Sequence, residues 1–193
     1  LDGKKVVGAV QLNPNKAELW ESLGGVYLDI SFAPGALDWG IRALKEALSL
    51  EPVSPVLYTK VGKLYVAKGE LENAREYFKK ARDLKTDYVE ALLQLALLTE
   101  KEEGNIAALA EVKEIVERHP FNAQASFQLG RLLYNAGEAE EAISQFKQVL
   151  QFIPNSPNAL FSLGVALESQ GRIKEAVVQL EKLLQLSPDN EAV

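Results

Sequence analysis

Few groups in this chain could make or break bonds. There is one histidine, His119, and no cysteine among 193 residues. That removes thiolate nucleophiles, thiolate metal centres and disulfides. His119 stands before Pro120 at the end of a helical stretch and has no companion for a triad or a metal. Carboxylates gather in two runs, Glu100, Glu102, Glu103 and Glu138, Glu140, Glu141. Paired carboxylates can exchange protons with a substrate, but these fall at helix ends and turns and read as solvated surface. Gly24-Gly25 lacks the Lys-Ser/Thr that completes a phosphate loop. The reading is of a non-enzyme with no cofactor and no metal. What remains is recognition chemistry. Ser22, Lys60, Gln94, Gln128 and Ser162 follow one another at a step of 38 and then 34 residues. Such a row of side-chain donors and acceptors can pair with a peptide backbone whatever its sequence.

The elements that position this row are written in the same spacing. Gly62, Ala96, Gly130 and Gly164 are 34 apart, as are Ala74, Ala108, Ala142 and Ala176. Pro52, Thr86, Pro120, Pro154 and Pro188 keep the step, while Gly24 precedes Gly62 by 38. The stretches "FQLGRLLYNAGEAEEAISQF" and "FSLGVALESQGRIKEAVVQL" share Leu-Gly, Gly and Glu-Ala at the same offsets. "WESLGGVY", Trp20 to Tyr27, and "YTKVGKLY" followed by Ala74, Phe78 and Ala81 complete the pattern. In this pattern and period the chain resembles tetratricopeptide repeat proteins over nearly its whole length.

Apolar residues at helical spacing, such as Tyr58, Val61, Tyr65 and Leu160, Leu163, Leu167, predict one buried face per first (A) helix. A helices are expected near 17–30, 55–68, 89–102, 123–136 and 157–170, and partner (B) helices near 36–50, 71–84, 105–118, 139–152 and 173–186. Gly69, Gly137 and Gly171 stop A helices, and the prolines end B helices. The fold class is all-α, an α-solenoid of about five repeats: 17–54, 55–88, 89–122, 123–156 and 157–190. Residues 1–14 read as the end of a preceding repeat and 191–193 as the start of another. The chain begins at Leu1 rather than Met, so a piece of something longer is expected. The first repeat carries four extra residues in "LDISFAPGALDWG". There Phe32 and Trp39 flank Pro34-Gly35, either as a locally packed turn or as a protruding contact surface.

At 100° per residue, the second, fifth, sixth, ninth, twelfth and thirteenth places of each A helix lie opposite its buried side. The resemblance implies that this face lines the concave side of a right-handed superhelix and receives a peptide segment or partner protein. The candidate residues there are Lys60, Lys63, Leu93, Gln94, Leu97, Phe127, Gln128, Arg131, Tyr134, Asn135, Asn158, Phe161, Ser162 and Val165. Leu93, Leu97, Phe127, Phe161 and Val165 are apolar where water is expected, a mark of partner surfaces. Arg131 and Tyr134 add hot-spot residue types.

One subset of the family grips a C-terminal carboxylate with two Lys, two Asn and an Arg on three successive A helices. No register of this chain supplies that set; the second, for example, offers Thr59, Lys63, Gln94, Gln124 and Gln128. The net charge of −6 disfavours nucleic acid. The first 86 residues carry 13 basic against 11 acidic groups, and the remainder 8 against 16. No apolar run approaches the roughly 18 residues of a membrane helix. The expected function is a protein–protein interaction scaffold. The alternatives are a solenoid that self-associates through its ends and an interaction tail of a larger enzyme or membrane protein. "FAPGALDW" followed by "EALSLEP" is similar to the tetratricopeptide tails of bacterial O-antigen ligase-like membrane proteins. That likeness would put the segment outside the cytoplasmic membrane, though the localisation stays open between cytoplasmic and extracytoplasmic.

Overall fold

Short polar residues and prolines set where the helices begin. Ser54, Asn122 and Ser156 each accept a hydrogen bond from the backbone N–H three residues on, at Leu57, Ala125 and Ala159. Each cap satisfies a donor that the first turn leaves open. Pro55 and Pro157 follow two of them at the first helical place, where a missing N–H costs nothing. The computed structural model describes residues 3–186, and their side chains from Val7 onward.

After α1 (Gly3–Leu12) come ten helices in five consecutive pairs. They are α2 (Ala17–Asp29) with α3 (Ala36–Leu50), α4 (Pro55–Lys68) with α5 (Leu71–Leu84), and α6 (Val89–Glu103) with α7 (Asn105–Arg118). Then follow α8 (Ala123–Asn135) with α9 (Ala139–Phe152) and α10 (Pro157–Ser169) with α11 (Ile173–Leu186). The periodicity places every one of these ends within one residue. The further repeat expected to begin at 191–193 lies outside the described residues.

The turns inside the pairs are closed by glycine. Gly69 has φ +82°, a region a Cβ would strain. That geometry lets Glu70 N–H reach back to Tyr65 O at 2.9 Å, and Gly137 does the same for Glu138 and Leu133. Each such turn satisfies carbonyls at the end of an A helix.

The chain divides into two compact units, 1–98 and 99–193. In the first, Leu44, Leu57, Val61, Leu64 and Phe78 are buried to 2 % exposure or less. In the second the corresponding core is Leu132, Leu133, Phe146, Leu160, Leu163 and Leu167. Burying each such side chain contributes about 1.5–3 kcal/mol. The A helices give up a side chain where a B-helix residue crosses. A Cβ on Gly24, Gly62, Gly130 or Gly164 would stand 2.4–2.8 Å from Leu44, Phe78, Phe146 or Leu180. Large residue on one helix and glycine on the other is the interlock in the pairs α2–α3, α4–α5, α8–α9 and α10–α11. No described helix is long and apolar enough to cross a membrane.

Candidate functional site

In the first unit the charged candidates are already matched. Lys60 on α4 is exposed and forms an ion pair with Glu21 on α2 at 2.5 Å. Lys63, two-thirds buried, pairs with Glu90 at the start of α6. Tyr88 donates its hydroxyl to the other oxygen of Glu90 at 2.9 Å. Burial pushes Glu90 up, but the hydrogen bonds from Lys63 and Tyr88 outweigh it and hold the carboxyl below its usual 4.5. Burial and the bond to Glu90 push Tyr88 up to about 12.

A depressed carboxyl stabilises the fold above its ordinary range and loses that contribution as the carboxylate is protonated. Unit 1 is therefore expected to lose stability as pH falls below 4.5, by less than a fully buried pair would because Glu90 is about one-third exposed. Glu90→Gln should flatten that acid limb in a pH series of thermal melts. An unchanged limb would mean that the Lys63–Glu90–Tyr88 cluster does not carry it.

Gln94 and Leu97 on α6 are half-buried. Leu93 departs from expectation: it is fully buried at 0 % and belongs to the core, not to an open face. The reason is angular. The fifth place of an A helix lies about 110° round from the centre of its buried side, on a shoulder, and a packed neighbour can cover it. Thr59, the same place on α4, is 1 % exposed and donates its hydroxyl to Pro55 O at 2.9 Å.

The second unit presents a different surface. Arg131 on α8 is gripped by both oxygens of Glu100, one at 2.8 Å, and its Nε donates to Gln128 Oε1 at 3.0 Å. Its charge is thus spoken for. Phe127 is half-buried, its ring 5.8 Å from that of Phe146. Tyr134 is half-buried and Asn135 exposed. Helix α10 packs on α8 and adds Asn158, exposed, and Ser162 and Val165, half-buried. Phe161 stands out at 55 % exposure. The candidate places of α8 and α10 therefore form an uncharged strip apart from the neutralised Arg131 and the exposed Glu168 at its end.

The acidic partners Glu21, Glu90 and Glu100 are the participants that reading the lysines and arginine singly overlooks. Glu21 is the fifth place of α2, and Glu90 and Glu100 are the second and twelfth places of α6. Each is on the A helix next in sequence to that of its cation, and these numbered places are the signal that could have found them.

Three stretches match family models: residues 130–171 match the TPR repeat, and 56–88 and 157–190 the tetratricopeptide repeat. No curated protein sequence matches the chain. Among solved structures, MamA is 29 % identical, with a TM-score of 0.61 over 78 % of this chain and 88 % of that one. YrrB, described as a TPR protein with an unusual peptide-binding site, is 24 % identical, with a TM-score of 0.58 over 96 % and 93 %. MamA from Desulfovibrio magneticus RS-1, residue 41 to the end, is 20 % identical with a TM-score of 0.65 over 91 % and 97 %.

Proposed function

We propose that this chain, a tetratricopeptide-repeat protein, is a non-catalytic interaction scaffold whose α8–α10 strip receives an extended, largely uncharged peptide segment. The observation that carries the reading is Phe161, a large apolar ring 55 % exposed on a strip whose one cation is already neutralised. An acidic ligand would have to displace Glu100 from Arg131, and a basic one would meet a carboxylate only at Glu168 at the end of the strip, whereas an apolar anchor has only water to displace. Phe161, Phe127 and Val165 supply apolar contact, and Gln128, Asn158 and Ser162 supply partners for a peptide backbone. YrrB, whose fold this chain shares, is described as having a peptide-binding site, which supports the class of ligand.

The test is selection of displayed peptides on the wild-type protein, followed by affinity measurement on Phe161→Ala. An exposed anchor is a hot-spot position, so the loss expected is about 2 kcal/mol, or roughly 30-fold in Kd. Helical circular dichroism and the melting temperature should stay as in the wild type, because Phe161 is on the surface. Selected peptides that bind the variant as tightly as the parent would remove the strip from the binding site.

A further inference from the structure

A cavity of about 390 Å³ opens in the first unit, lined by Val7 of α1, Trp20, Leu23 and Tyr27 of α2, and Trp39 and Ala43 of α3. The repeat itself shows what is missing from it. Shift each helix by its own step, and Val7 falls on Lys45, Trp20 on Tyr58, Tyr27 on Tyr65 and Ala43 on Tyr77. In that second layer the space is filled. The Tyr77 ring lies 6.0 Å from Tyr58 and 5.4 Å from Tyr65. The Lys45 ammonium donates to the Tyr65 hydroxyl at 3.0 Å and sits over both the Tyr65 and Tyr77 rings. Later repeats also put a long side chain at this place, Glu111, Gln145 and Gln179. The first repeat alone has alanine there, and it keeps the aromatic walls on α2.

We propose that the cavity between α1, α2 and α3 is a socket for an aromatic side chain of a partner protein, a site separate from the α8–α10 strip. The occupant's ring takes the place that Tyr77 holds one layer on, against Trp20 and Tyr27, where offset and tilted rings attract beyond simple burial. The rim fixes the neighbours of that ring. Arg42 and Glu46 are one turn apart on α3, both exposed, and neither is in an ion pair with a described residue. Arg42 is instead poised 5.2 Å over the Trp39 ring. Charge complementarity then calls for an acidic residue on one side of the aromatic one and a basic residue on the other.

The chain has two tryptophans, Trp20 and Trp39, and both line the cavity, so their emission reports occupancy directly. Titration with p-cresol, the tyrosine side chain alone, should shift that emission saturably with a Kd of about 1 mM, the scale set by so few atoms. The blocked tripeptides Asp-Tyr-Lys and Lys-Tyr-Asp test the rim, and one of them should bind about tenfold tighter than p-cresol. Ala43→Tyr fills the socket from within. It should abolish both titrations and raise the melting temperature, as cavity filling does.

Absence of saturation in the wild type, or titrations unchanged in Ala43→Tyr, would overturn the socket. Should Ala43→Tyr fail to fold, Val7→Phe closes the same space from α1 and must give the same loss. Tripeptides no tighter than p-cresol would overturn the assignment to a protein partner. So would an emission shift that grows with protein concentration alone and vanishes in Phe32→Ala. That result would make the occupant a second copy, through the Phe32 ring that stands 87 % exposed.

Discussion

Gly62→Ala is expected to destabilise the first unit by about 2 kcal/mol, although alanine is the better helix former by about 1 kcal/mol. The added methyl would stand 2.4 Å from the Phe78 ring, with two more ring atoms within 2.9 Å. Phe78 is 0 % exposed, so the ring has no room into which to retreat. For a domain of this size the melting temperature should fall by about 10 °C. The third repeat shows how the conflict is relieved, because it has Ala96 and Val112 where the second has Gly62 and Phe78. Combining Gly62→Ala with Phe78→Val should therefore cost less than the sum of the two single changes, by about 1 kcal/mol or more. Strict additivity in urea unfolding would show that the close approach of α4 and α5 is not what the glycine provides.

Phe146→Ala is expected to remove about 3–5 kcal/mol from the second unit. Its ring is 1 % exposed and fills the space that Gly130 leaves, where a Cβ would lie 2.7 Å away. The same ring supports Phe127 from below, so the variant should also lose affinity at the α8–α10 strip even where it remains folded. Phe146→Leu copies the residue that the last repeat uses, Leu180, and should cost about 1 kcal/mol. Urea midpoints at constant slope measure both. An alanine variant within 1 kcal/mol of the wild type would contradict the interlock.

The helices were legible because a step of 34 repeats the same apolar face, glycine stop and proline end, and each copy corroborates the next. The candidate face was legible only in outline. Its angular limits follow from 100° per residue, but whether a shoulder position meets water depends on the neighbouring helix. Hence Leu93 reads as exposed in sequence and is core in three dimensions. Lys60, Lys63 and Arg131 read as free cations because their carboxylate partners are 39, 27 and 31 residues away. Proximity of that kind is a property of helix packing. The insertion in the first repeat left its aromatics open between two roles. The structure leaves Phe32 in solvent and lays Arg42 over Trp39.

The pairs that pack together in each unit are one or two elements apart along the chain. Little loop entropy has to be surrendered before a contact forms, so refolding should be rapid and should start at any hairpin. The same locality removes long-range staples. Within each unit one hairpin can open while the hairpin packed on it stays shut, and amide protons should exchange hairpin by hairpin rather than in a single step. A peptide lying across α8 and α10 would bridge two hairpins, and its arrival would be visible as slower exchange in both.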